Sequence, residues 1–248
     1  MLFFIFLLGC LIGSFLNVCI CRLPQEENIS WALSRCPRCG TRLQPGDLVP
    51  VVSYLLLKGK CRICQGKISP RYPLVELLTG GLFLLTFFQL GFSPHLVKHL
   101  FLFACLLVVS FVDLEHQIIP DKLVVTIFLW GGIWQLFSPQ ISYLQSLAGA
   151  FLGGGFLFLV ARLSKGGMGG GDIKLMLAAG FYLGGSLTIL ALFLAFLTGS
   201  VVGIILLVFQ IKGRKEPIPF GPFLAQGIFA SVLWGEEILN FYFQTWLF

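Results

Sequence analysis

Long apolar runs alternate with short polar links along this chain, and one long polar loop interrupts them near the start. The runs fall at about 2–20, 73–92, 96–113, 122–137, 143–162, 173–185, 187–211 and 222–246. Within each run the apolar residues are continuous rather than alternating with polar ones. This predicts helices and excludes the strands of a membrane β-barrel. Most runs have the roughly 17–25 residues that a helix needs to cross a bilayer. The expected fold class is an all-α polytopic membrane protein with about eight transmembrane helices. The boundary at Gly184-Gly185 leaves the 173–185 run short. The first run has no basic flank before it and no small-residue cleavage site after it, which predicts a retained helix rather than a signal peptide.

Composition supports that picture. Hydrophobic residues make up 57% of the 248 residues and charged ones only 11%, with a mean hydropathy of +0.92. A soluble domain of this length has too little interior to hide so much apolar surface. The 26 Phe residues need only lipid as a partner. A net charge of +6 does not call for nucleic acid, because basic loops on the cytoplasmic side of a membrane give the same sum. The distribution of those charges sets the orientation. The 22–71 loop holds Arg22, Arg35, Arg38, Arg42, Lys58, Lys60, Arg62, Lys67 and Arg71. Placing it in the cytoplasm puts the N-terminus outside. It also brings Lys122, Arg162, Lys165, Lys174, Lys212, Arg214 and Lys215 to the same face, leaving only Lys98 opposite.

Two acids acquire meaning from this topology. Asp113 ends the 96–113 run, and Asp172 follows the glycine-rich link after the 143–162 run. Both runs descend to the cytoplasmic face, so the two acids share one depth although 59 residues separate them. Acids within reach of the membrane are costly and point to function. Two carboxyl groups that share a site cannot both ionise freely, which suits amide hydrolysis. The ionised one takes a proton from water and the protonated one hydrogen-bonds the scissile carbonyl. Helix ends predict an asymmetry, with Asp172 favoured as anion by a helix N-terminus and Asp113 disfavoured by a C-terminus. The competing roles are structural: Asp172 as an N-cap and Asp113 as an interfacial loop acid. Asp121, after Pro120, reads as an N-cap, and Glu115 and His116 as solvated link residues. Gly169 and Gly171 provide either padding or close approach of a substrate backbone.

Cys36-Pro37-Arg38-Cys39 and Cys61-Arg62-Ile63-Cys64 form two CxxC pairs with 21 residues between them. Four thiolates so spaced can close a tetrahedral structural zinc site, aided by the basic neighbours Arg38 and Arg62. Two disulfides are the rival, disfavoured in the cytoplasm. A site saturated by four sulfurs has no position open for hydrolysis. Cys10, Cys19, Cys21 and Cys105 read as packing residues. Glu76 admits two roles: an ion pair with Arg71, or binding of a substrate amine or methyl donor. Asn17 reads as a backbone or interhelical contact, and the GxxxG spacing of Gly9 and Gly13 as close helix packing. No internal repeat is evident, and the lack of two-half symmetry, with acids at one face rather than the midplane, argues against a transporter.

Six motifs in order resemble those of the type IV prepilin peptidases. They are Gly13-Ser14-Phe15-Leu16-Asn17-Val18 with Arg22-Leu23-Pro24, the cysteine pairs, and Arg71-Tyr72-Pro73-Leu74-Val75-Glu76 with Thr79-Gly80. The other three are Asp113 with Ile119-Pro120-Asp121, the GxGD-type Gly169-Gly170-Gly171-Asp172-Ile173-Lys174, and Pro219-Phe220-Gly221-Pro222-Phe223. The cysteine loop and first motif separate the chain from presenilin-like and preflagellin peptidases. The resemblance implies an aspartic endopeptidase in a bacterial cell membrane, with Asp113 and Asp172 catalytic at the cytoplasmic face. Gly169, Gly171, Lys174 and Glu76 are then expected to shape the site. Its implied substrates are prepilins or pseudopilins of pili, type II secretion or competence, cut after a short basic leader. It further implies N-methylation of the new amino terminus with S-adenosylmethionine. A methyltransferase whose acid pair has become structural is a further alternative. The expected organisation is a first helix at 1–21, a zinc-binding loop at 22–71 and a membrane-embedded peptidase domain at 72–248.

Overall fold

The structure, a computed structural model, describes the chain except residues 29–34, 37, 165–166, 212, 214–215 and 247–248 and the side chain of Trp246. Lys165, Lys212, Arg214 and Lys215, counted above in the charge pattern, lie outside the described residues, as does Pro37. The helices are α1 (Leu2–Arg22), α2 (Val52–Leu56), α3 (Arg71–Leu90), α4 (Pro94–His116), α5 (Asp121–Phe137), α6 (Tyr143–Leu163), α7 (Gly170–Leu183), α8 (Gly185–Val208) and α9 (Gly221–Trp246). All but α2 correspond to the apolar runs. Five segments, Leu2–Gln25, α3, α4, α6 and α8, are long and apolar enough to cross a bilayer. Of the others, α5 has 17 residues and α7 has 14, while α9 carries Glu236 and Glu237. Among the described residues eight helical segments therefore match the apolar runs, and length and apolarity alone qualify five of them as spans.

Several boundaries move in ways that matter for the acids. Helix α4 runs on to His116, so Asp113 lies inside its last turn rather than closing it. It stops where Gln117 takes a left-handed φ of 55° and its N–H bonds to the Asp113 carbonyl at 2.9 Å. Helix α7 starts at Gly170 with Gly169 as N-cap, which puts Asp172 at the third helical position. Gly184, at φ 78°, ends α7 and starts α8, a turn that favours glycine. Helix α6 opens on a reciprocal capping box between Ser142 and Gln145,.

The chain divides into two compact units, Met1–Val108 and Val109–Phe248. In the first, α1 packs along α3. A Cβ on Gly9 would sit 2.7 Å from the Gly80 Cα, and one on Gly13 2.7 Å from the Glu76 Cα. The GxxxG spacing thus does what was expected of it, bringing two backbones into contact. Asn17 joins the same seam: its Nδ2 donates to the Gly13 and Tyr72 carbonyls at 3.3 and 3.0 Å.

In the second unit α7 packs against α5, α6, α8 and α9. Its position explains its brevity and composition. Leu175, Met176, Ala178, Ala179 and Tyr182 are all buried, and small residues let neighbours close in. A Cβ on Gly153 of α6 would lie 2.6 Å from the Met176 carbonyl oxygen, and one on Gly180 2.7 Å from the Gly149 carbonyl carbon. Large apolar side chains elsewhere stand exposed, among them Phe3, Phe151 and Phe193. On helices of this apolarity such surface faces lipid.

Candidate active site and metal centre

Asp113 and Asp172 belong to the same unit, and both are buried, at 6% and 8% exposure. Each carboxyl is held by a backbone amide at a helix start. The Gly221 N–H, the first of α9, donates to Asp113 Oδ2 at 2.7 Å. The Gly169 amide donates to the Asp172 carboxylate, as the third residue of a helix does when it reaches back to the cap. Asp172 is therefore not the N-cap. The two carboxyls are close enough for the charge of Asp113 to act on Asp172. The asymmetry expected from helix ends loses its premise here. The C-terminus of α4 disfavours an anion at Asp113, but the N-terminus of α9 supplies the opposite field.

Glycines shape this site by closeness. A Cβ on Gly221 would stand 2.8 Å from Asp113 Oδ2 and 3.1 Å from its Cβ. A Cβ on Gly169 would meet Asp172 Oδ2 at 3.0 Å. At Gly171 the space is taken by Ile119, whose Cβ would be 2.9 Å away, while Gly170 faces open space. The glycine at 171 thus lets the link before α5 pack against the first turn of α7. Lys174 and Asp121 reinforce that contact through an exposed pair, with Nζ 2.8 and 2.9 Å from the two carboxylate oxygens. Asp121 does not cap α5: Pro120 is the N-cap and no side-chain cap forms. Glu115 and His116 are exposed.

Glu76 lies in the other unit. It is buried, and its Oε2 accepts from the Val51 N–H at 2.7 Å, with the Ser14 hydroxyl as a second donor. It does not pair with Arg71, whose guanidinium donates to Cys21 Sγ at 2.9 Å and lies over the Tyr72 ring. The Val51 partner has no local sequence signal, since 25 residues separate it from Glu76.

The four cysteines of the loop converge in this unit. Their sulfurs lie within 4.8 Å of one another, with Cys36 and Cys64 sulfurs 3.9 Å apart. Four Zn–S bonds of about 2.3 Å in a tetrahedron set sulfurs about 3.8 Å apart, so the cluster fits zinc. All four are free thiols, against the disulfide alternative. Each pair sits in a matching knuckle: Cys36 N–H bonds to the Thr41 carbonyl and Cys61 N–H to the Gly66 carbonyl, at 2.9 and 2.8 Å. Arg35 bridges Arg42 and Lys60 bridges Lys67 in the same way. Gly40 and Gln65, four residues after the first cysteine of each pair, both take positive φ. This small repeat corrects the expectation of no internal repeat, and it is legible in the sequence as basic-Cys-x-x-Cys-x-x-basic. Local donors set the thiol acidities. The Thr41 hydroxyl and backbone amide pull Cys39 down to about 6, and the Cys64 and Ile63 amides pull Cys61 down. The Gly66 amide favours the Cys64 thiolate too, but desolvation and three neighbouring sulfurs push it up to about 11. Arg62 turns instead to Asp47, at 2.7 Å.

The fold and these sites define a polytopic helical membrane protein with a buried aspartate pair and a separate four-cysteine cluster. Residues 7–90 match the bacterial peptidase A24 N-terminal domain and residues 100–204 the type IV leader peptidase family. The chain belongs to the type IV leader peptidase family. It is 34% identical to a prepilin leader peptidase/N-methyltransferase of Bacillus subtilis, over 98% of each chain. A protein of the same description from Pseudomonas aeruginosa is 36% identical over 96% of this chain and 92% of its own. One from Neisseria gonorrhoeae is 37% identical over 88% and 85%. No solved structure matches the chain.

Proposed function

We propose that the protein cuts the leader from prepilins or pseudopilins with Asp113 and Asp172, and then N-methylates the new amino terminus. The observation that carries this reading is the buried aspartate pair, each member held by a helix-start amide, in a chain related along nearly its whole length to prepilin leader peptidases. One carboxylate takes a proton from water as the water oxygen bonds to the scissile carbonyl carbon. The other, protonated, hydrogen-bonds the carbonyl oxygen. When the C–N bond breaks, the leaving amine takes a proton from the pair. Burial keeps the two acids from ionising together.

The pattern of Lys and Arg supports a cytoplasmic position for the loop, with the N-terminus outside and the acids at the cytoplasmic face. A leader rich in positive charge is retained on that side for the same reason. On this reading a first helix at 1–21 and a loop at 22–71 precede a peptidase region at 72–248. Zinc held by Cys36, Cys39, Cys61 and Cys64 would be saturated, so it would tie the loop together and take no part in hydrolysis. S-adenosylmethionine is the expected methyl donor. Among the described residues no strand with a glycine-rich turn forms a nucleotide cradle, and no residue is assigned to the donor.

The test is cleavage of a purified prepilin in detergent by the wild type and by Asp113→Asn and Asp172→Asn. Loss of cleavage in both supports the pair, and cleavage surviving both overturns it. Labelled S-adenosylmethionine in the same reaction reads the second activity.

A further inference from the structure

The loop between α1 and α3 contains a surface that borders the second cysteine knuckle and plays no part in the aspartate pair. Its anchor is Glu76, which holds the Val51 N–H at 2.7 Å. Glu76 lies five residues beyond Arg71, the first residue of α3, so the anchor is about 7.5 Å along that helix at 1.5 Å per residue. Helix α2 therefore starts level with a point inside the end of a membrane span. Val51 itself has φ 61° and ψ −50°, a strained conformation for a β-branched residue. The buried carboxylate keeps the chain there.

From that anchor α2 presents an apolar tip. Val52, Leu55 and Leu56 are 51%, 67% and 78% exposed. The chain then turns back through Lys58 and Gly59, both at positive φ. Beyond the turn lies a cleft of about 480 Å³ lined by Tyr54, Lys58, Lys60, Lys67, Ser69 and Pro70, with Gly59 and Ile68. Lys60 and Lys67 face each other across an antiparallel bridge, an arrangement of like charges that costs stability unless an anion lies between them. No acid lines the cleft, and none of the three lysines has a carboxylate partner among the described residues. Pro70 is the N-cap of α3, so the cleft opens at the mouth of that span.

Exposed aliphatic side chains at bilayer level followed by lysines at the headgroup level are the pattern of an interfacial element. We propose that α2 lies in the headgroup layer with Val52, Leu55 and Leu56 in the acyl boundary, and that Lys58, Lys60 and Lys67 hold the phosphate of an anionic phospholipid. The positive cleft repels a basic leader peptide, and the adjoining leucines receive acyl chains that a free phosphate lacks. This assignment rests on α3 spanning the membrane and is independent of the peptidase reading.

The experiment is native mass spectrometry of the full-length protein in mild detergent, with phosphatidylglycerol or phosphatidylcholine of identical chains. Each lysine near an anionic headgroup strengthens binding roughly fivefold. The wild type should retain phosphatidylglycerol preferentially, and K58Q/K60Q/K67Q should lose about a hundredfold of that preference. Equal preference in the triple variant overturns the proposal, as does displacement of the lipid by millimolar inorganic phosphate. Lys60 and Lys67 adjoin the cysteine knuckle, so Lys58→Gln alone decides the matter if the triple variant misfolds. A roughly fivefold drop supports the site, and no change overturns it. Leu55→Ser/Leu56→Ser should lower retention of both lipids, and unchanged retention removes the apolar half of the proposal.

Discussion

Replacing Gly221 with alanine tests the geometry of the aspartate pair with a single carbon atom. That carbon would stand 2.8 Å from Asp113 Oδ2 and 3.1 Å from both Cβ and Cγ. Ordinary contact begins near 3.4 Å, so the carboxyl must withdraw by about 0.6 Å. Asp113 has little freedom to do so, because Val109 and Val112 beside it on α4 are fully buried. Rotation of the side chain would stretch the 2.7 Å bond from the Gly221 amide, and a hydrogen bond to a charged group is worth about 1.5–3 kcal/mol. Displacement of a catalytic group by about 1 Å costs on the order of 100-fold in rate. Both routes lead to a fall in leader cleavage of roughly 10- to 100-fold. Alanine suits the first turn of a helix, so the stability cost is that of the clash, about 1–3 kcal/mol, and the protein should remain folded. The assay is single-turnover cleavage of a prepilin in detergent, with methylation of a pre-cleaved substrate as the control. Cleavage by G221A within twofold of wild type would refute the coupling of Gly221 to Asp113. An equal fall in methylation would show general damage instead.

Other expectations can be checked with similar means. Gly171→Leu should sharply reduce cleavage in a folded protein, since its side chain must displace Ile119; circular dichroism checks the fold. Gently purified protein should hold one zinc per chain by metal analysis. Cys36→Ser should lose it, and proteolysis within residues 23–70 should then accelerate. Gly13→Val should push α1 from α3 and lower stability by about 1–3 kcal/mol, read by thermal denaturation. Glu76→Ala leaves the strained Val51 amide without its acceptor, and a loss of about 1–3 kcal/mol is expected, seen first as faster exchange of the Val51 N–H.

Much of the architecture is legible along the chain. Continuous apolar runs of span length predict the helices, because the bilayer requires every backbone polar group to be satisfied within its own segment. Asp113, Asp172 and the paired cysteines stand out because their chemistry is costly in an apolar chain. The short α7 was the least well defined run, and its limits depend on Gly169 and Gly184 rather than on apolarity.

Partner choice lay beyond sequence alone. Asp121 reads locally as a cap, yet it pairs with Lys174, 53 residues away. Glu76 has Arg71 within reach along its helix, yet it holds Val51 and Ser14. The amide at Gly221 lies 108 residues from Asp113. Helix type is a local property of periodicity and length, so the sequence by itself determined the helical segments and the chemistry they carry. Which amide faces which carboxylate depends on how closely helices approach, and only the tertiary structure decided that, through glycine contacts whose two sides lie far apart in the chain.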